Sequence, residues 1–246
     1  MPKSQIIKDI VEERVGIEQS LNRLYILALD VKNKELANWA EKELNGYTST
    51  DELPAYRKAD GATLRYTGIN GGFQVTNQPL QPSFIKQEHR DIIDNIQMRE
   101  GIRFLSELAS SEQPATRDLS LLAHDVLELS GGQVQCISIK QIIPQSIFQG
   151  ACAEVKHKML QALVELESKF GNLDSLGIDI SEKKPEQIAI ENEELNRTVL
   201  NINVPAPTLP KEKMRNKVAW NIIIPIITGA LGAILGAAVV AYFGLG

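Results

Sequence analysis

The sequence predicts a mainly α fold with a small β insertion (α+β), arranged as a helical cytoplasmic head plus one C-terminal transmembrane helix. Three observations carry this expectation. Apolar residues recur at helical spacing over most of residues 5–170. The spacing is lost over residues 47–85, where glycine, proline and two-residue alternation replace it. Finally, residues 218–246 read VAWNIIIPIITGALGAILGAAVVAYFGLG, 29 positions without one charge. Roughly 20 apolar residues in a helix cross a hydrocarbon core about 30 Å thick, so this run has length to spare.

From Gln5 to Asp30, Ile6, Ile10, Val11, Ile17, Leu21, Leu24, Leu27 and Ala28 form one helical stripe against a polar back. Gly16 weakens that helix modestly. A second helix is predicted from Lys34 to Leu44, with Leu36, Trp39, Ala40 and Leu44 on one side. Asn45–Gly46 is its stop, and the two helices make an αα-hairpin over residues 5–45. The β-rich insertion spans 47–85, with strands in ATLRYT and GFQVT and a hairpin turn at Asn70–Gly71. Helices are expected again over 86–170: one from Lys86 to Ala109, a shorter one from Arg117 to Leu129, and a strong one from Pro144 to Phe170 capped by Gly171. Between the last two, residues 133–143 read as a strand or an extended linker. Residues 1–175 thus form the head. The prolines at 185, 205, 207 and 210 make residues 176–217 an irregular stalk ending in a basic juxtamembrane segment.

Charge narrows the function classes. The chain carries −5 overall, and without the +3 of residues 211–217 the remainder is −8. A head whose main task is gripping phosphate backbones needs a basic face, so no direct contact with nucleic acid is expected. Cys136 and Cys152 lack CxxC spacing and are expected as reduced, buried thiols. Met1–Pro2–Lys3–Ser4 runs straight into an amphipathic pattern, and no secretory leader is expected.

Two stretches are specific enough to resemble a known family. Residues 35–47, ELANWAEKELNGY, and 51–57, DELPAYR, are similar to the helix ending "W-x-x-x-E-L-x-G-Y" and the "L-P-x-Y-R" continuation of the AbiTii domain. In this chain the motif residues are Trp39, Leu44, Gly46, Tyr47, Pro54, Tyr56 and Arg57. The amphipathic N-terminal helix and the late helix from Val155 fit the same pattern, so the resemblance covers roughly residues 3–175. It implies a part in bacterial abortive infection against phage, and it brings no catalytic residue to carry over.

Read for chemistry alone, the head offers no constellation. Trp39 lies on the apolar side of its helix and is expected in the core. Tyr47, Tyr56 and Arg57 follow the helix stop, where loops place residues at surfaces. Arg57 is expected to pair with an acidic residue such as Glu43 rather than to bind an anion. His89, His124 and His157 are far apart and lack zinc spacing. His124–Asp125 near Ser120 suggests a hydrolase, but both lie among leucines on a short helix and read as its polar edge. Glu165 and Glu167 are two apart on a helix and do not face each other. No metal or cofactor is expected.

The terminal stretch is richer. Thr228, Gly229, Gly232, Ala233, Gly236 and Ala237 form lines of small residues at four-residue spacing, the pattern that lets helices approach closely in lipid. Pro225 kinks the helix near its start. Lys211, Lys213, Arg215 and Lys217 precede the span and favour a cytoplasmic head on a single-pass bacterial inner-membrane protein. The expected function is therefore a membrane-anchored effector of antiphage immunity that clusters on activation and depolarises or permeabilises the membrane. It would be non-enzymatic, with the lipid bilayer, a second copy of its own span and an activating protein of a defence operon as partners. Two alternatives stand beside it: a membrane-tethered binding or adaptor module, and an enzyme with a site near Tyr56 to Phe73.

Overall fold

The computed structural model describes residues 3–175 and 177–201. They fold as α+β: a helical layer at one side, and an antiparallel sheet backed by a short helix at the other. No helix of the described residues is long and apolar enough to cross a membrane. The span expected over 218–246, with Thr228 to Ala237, the kink at Pro225 and the basic residues Lys211 to Lys217, lies outside the described residues.

The N-terminal stripe makes two helices rather than one. Helix α1 covers Gln5–Val11 and α2 covers Ile17–Asp30, with Gly16 extended as the N-cap of the second. Glu13 turns the chain with a left-handed φ of 57°, and Val11 is left exposed. Two short stripes bury better than one continuous stripe broken by a glycine. Helix α3, Lys34–Asn45, follows as expected. Asn33 caps it by accepting from the Leu36 N–H at 3.0 Å, a bond of a kind worth about 1 kcal/mol. Gly46 ends it at φ 95°.

The stop at Gly46 is also a crossing point. A Cβ there would sit 2.6 Å from the Arg99 carbonyl oxygen, and the Tyr47 N–H donates to that same oxygen at 2.7 Å. The C-terminal end of α3 therefore lies directly against the start of a later helix, and only glycine permits both the φ and the approach.

Strand β1 is only Lys58–Ala59. Strand β2, Thr63–Asn70, and β3, Phe73–Leu80, form the expected hairpin. Its turn is one residue later than the sequence suggested. Asn70 pairs with Phe73, and Gly71 and Gly72 occupy the loop at φ 57° and 96°. A two-residue type I′ turn needs positive φ at both positions, which Gly–Gly supplies better than Asn–Gly.

The long helix expected over 86–109 is absent. After a short helix α4 at Arg90–Asp94, residues Ile96–Gln97 form strand β4, which pairs with β1. Helix α5 then covers Ile102–Ser110. Ile96 and Met98 are both buried, an alternation that an extended chain satisfies. The second expected helix is also shorter: Ala115–Asp118 form strand β5, and α6 covers only Ala123–Leu129.

Residues 133–143 resolve as a strand, β6 at Val134–Ile143, and it is central. The sheet order is β3-β2-β6-β5, all antiparallel. The hairpin is thus not a local insertion; it is half of a sheet completed from downstream. Leu64, Tyr66 and Ile139 on one face pack with Leu122 and Val126 beneath.

Helix α7, Gln145–Phe170, ends at Gly171 as expected and is the axis of the helical layer. It buries Val155, Met159, Leu163 and Leu166 against α1, α2 and α5. Each such side chain contributes roughly 1.5–3 kcal/mol. Beyond it, Pro185–Leu200 form helix α8, where the sequence suggested an irregular stalk. Pro185 starts this helix instead of preventing it, because a missing N–H costs nothing in a first turn. Ile188, Leu195 and Val199 bury on the head.

Glu167 fastens the N-terminus to this layer. It accepts from Lys3 Nζ at 2.7 Å, Ser4 N at 2.5 Å and Ser4 Oγ at 2.6 Å. Burial pulls its pKa upward, but the bonds from Lys3 and Ser4 outweigh that and hold it at about 2, against an ordinary 4.5. The lowered pKa gives stability that is present above pH 4.5 and lost as pH falls toward 2. Glu167→Gln should flatten that acid limb in equilibrium unfolding of the full chain; an unchanged limb would contradict it. Gly46→Ala should cost about 1–3 kcal/mol in the same measurement, by strain and by collision with the Arg99 carbonyl.

Candidate functional site

The motif residues meet inside the molecule. Helix α3 places Trp39 and Glu43 one turn apart, the chain then reverses at Gly46, and a short turn at Ala55–Arg57 returns Tyr56 and Arg57 to the same spot. Glu43 and Arg57 both have 0% exposure. Arg57 Nη2 donates to Glu43 Oε2, which is the pairing that the sequence suggested. Glu43 Oε1 accepts from Tyr47 Oη at 2.6 Å and Tyr56 Oη at 2.7 Å, and Trp39 Nε1 donates to Tyr56 Oη at 2.9 Å. Arg57 also reaches across to the Glu100 carbonyl at 2.8 Å and lies 5.4 Å from the Tyr47 ring centroid.

The expectation that Tyr47 and Arg57 sit at the surface is therefore overturned. Taking two charges out of water costs several kcal/mol per ion, and only good pairing with further hydrogen bonds offsets it. The three donors on Glu43 and the backbone carbonyls on Arg57 provide that. Burial comes first in raising both phenol pKa values, and the neighbouring Glu43 carboxylate raises them further. Every strong acceptor in the cluster is used internally. Within the cluster, Arg57 Nε is buried without a partner among the described residues. The cluster is equipped to hold shape rather than to turn over a substrate.

Beside it lies a groove of about 720 Å³, lined by Trp39, Tyr47, Leu53, Pro54, Tyr56 and Lys158 among others. Its cations are engaged: Lys42 pairs with Asp51 at 2.6 Å, and Lys158 donates to the Val199 carbonyl at 2.8 Å. Asp51 also accepts from Thr48, and the Lys42 and Thr48 contacts lower its carboxyl pKa.

A second polar pair went unseen in the sequence. Asp125 is buried at 3% exposure and bonds His89 Nδ1 at 2.6 Å and the Lys86 N–H at 3.2 Å. Its expected neighbour in chemistry, His124, instead lies on the surface near Glu128. Asp125 is thus a buried fastener between α6 and the turn before α4, not a polar edge. Burial raises its pKa, but the His89 and Lys86 bonds prevail and the net shift is downward. No sequence spacing links positions 89 and 125, so only the fold could join them.

Cys136 and Cys152 are free and half-buried, and burial pushes both thiols up, away from reactivity. Among the described residues no group of three or more His, Cys, Asp or Glu is arranged to hold a metal.

The family model AbiTii matches residues 4–191. The match takes in the whole motif and continues into α8. No curated protein and no solved structure matches the chain.

The buried phenols set an alkaline limit. With pKa values raised in the folded state, Tyr47 and Tyr56 favour folding below pH 10, and that contribution is lost as pH rises above it. In a spectrophotometric titration of the full chain, both should ionise only as the head unfolds. Reversible ionisation near pH 10 with the fold intact would show that the cluster is open to solvent.

Proposed function

This chain belongs to the AbiTii family, and from that premise we propose that it acts in abortive-infection defence against phage as a membrane-anchored effector. Family membership supports the defence role. The finer mechanism rests on one observation, the 29 uncharged residues from Val218 to Gly246. They follow the basic residues Lys211, Lys213, Arg215 and Lys217, which favour a head on the cytoplasmic side of a bacterial inner membrane.

In this reading the head receives the signal, from an activating protein of the same defence operon, and copies cluster. Thr228, Gly229, Gly232, Ala233, Gly236 and Ala237 then let spans pack backbone to backbone, and the membrane loses its potential. The protein is not an enzyme and uses no cofactor. Support comes from the head itself: Glu43 and Arg57, central to the family motif, are fully buried and spent on each other.

A second reading, a tethered adaptor without its own toxicity, draws on the groove beside Trp39 and Tyr56. The two separate in one experiment. Expression of the full chain during infection, followed with a potential-sensitive dye, should report depolarisation. Gly232→Leu with Gly236→Leu should keep membrane insertion and abolish that signal. If the double variant depolarises as wild type does, the span is only an anchor; if neither protein does, the adaptor reading replaces the effector.

A further inference from the structure

Helix α8 is attached to the head partly through buried amides. Of its five buried residues, Ile188, Asn192, Leu195, Asn196 and Val199, two are asparagines. Asn196 Oδ1 accepts from Asn33 Nδ2 at 2.9 Å, and Asn196 Nδ2 donates to Glu35 Oε2 at 3.3 Å. Asn192 Nδ2 donates to the Val31 carbonyl at 2.8 Å. The α2–α3 corner thus offers α8 a carbonyl, an amide and a carboxylate beside the apolar core that takes up Leu195 and Val199.

The fit is specific but incomplete. Asn192 Oδ1 is buried and has no partner among the described residues. Turning the amide over would set its oxygen against the Val31 carbonyl, so neither orientation satisfies both atoms. Buried asparagines fix register at the expense of stability. Of the flanking ion pairs, Lys169–Glu194 at 2.7 Å has an exposed carboxylate and adds little, while Lys183 grips both oxygens of Glu191 at 2.8 and 2.7 Å and steadies the start of the helix. Leu195 and Val199, fully buried in the helical core, and the Lys158 bond to the Val199 carbonyl hold the helix down, while the asparagines fix one seat and lower the cost of leaving it. Its place in the chain matters too, since α8 is the last described helix before the uncharged run of residues 218–246.

We propose that α8 is a releasable latch: Asn33, Asn192 and Asn196 seat it on the α2–α3 corner in the resting protein, and its undocking is the step that activates the chain beyond it. The proposal rests on the effector reading above. Docking keeps Leu200 and Asn201 at the rim of the groove, and release removes that wall.

Asn196→Asp tests it. The carboxylate can still accept from Asn33, but it cannot donate to Glu35 and repels it. By hydrogen exchange on the full chain in detergent, α8 amides should exchange roughly tenfold faster than in wild type, with α2 and α7 unchanged. Cells expressing the variant should stop growing without phage. Faster exchange in α8 with normal growth overturns the latch, as does wild-type α8 protected as strongly as α7. If the variant loosens α2 and α7 as well, Glu35→Ala decides by the same two readouts, because Glu35 is exposed and its removal spares the core. Growth arrest with membrane potential intact would sink the membrane reading alone and leave the latch standing.

Discussion

The head depends on one buried ion pair. Arg57 and Glu43 come from segments on either side of a chain reversal, and neither retains any contact with water. Once Arg57 is inside, its second terminal nitrogen needs acceptors, and the Met98 and Glu100 carbonyls take the bonds from Nη1. That requirement draws the 96–100 segment into an extended path against Lys58–Ala59 and sets the start of α5 beside the end of α3. Tyr47, Tyr56 and Trp39 complete the shell of donors. A family motif that reads as loop residues is thus a closure device for the helical layer.

This accounts for what the residues disclosed and what they withheld. Helices α3 and α7 were legible because their apolar stripes are regular and their ends carry Gly46 and Gly171. The hairpin was legible from alternation and its glycines, although the turn shifted by one because Gly–Gly satisfies two positive φ angles. The segment 86–109 misled because its isoleucines fit a helical period, while the demand of Arg57 for carbonyl acceptors is non-local. Likewise β6 reads ambiguously alone and is fixed only by β2 and β5 at its sides. Prolines in 185–210 suggested irregularity, but one proline at a helix start is an aid.

The functional candidates divide the same way. Glu43 and Arg57 were legible as a pair, since an arginine soon after an acidic helix end usually finds a carboxylate. Their burial was not, because position after a helix stop normally means exposure. The His89–Asp125 pair and the asparagine seat of α8 join residues far apart in sequence, and no local pattern announces either. What unites these features is polar groups spent on architecture: the head is fastened by buried carboxylates and amides at its corners. That leaves the family motif as the holder of a shape.

The central claim is that Glu43 and Arg57 stabilise the head as a unit and not as separate contacts. A double-mutant cycle in equilibrium unfolding tests it most directly, with Glu43→Leu, Arg57→Met and both together. Each single change should cost about 3–5 kcal/mol, because it strands the other charge in the core. The double variant should lose far less than the sum of the two, leaving a large coupling energy. Additive losses, with no coupling beyond a few tenths of a kcal/mol, would contradict the account.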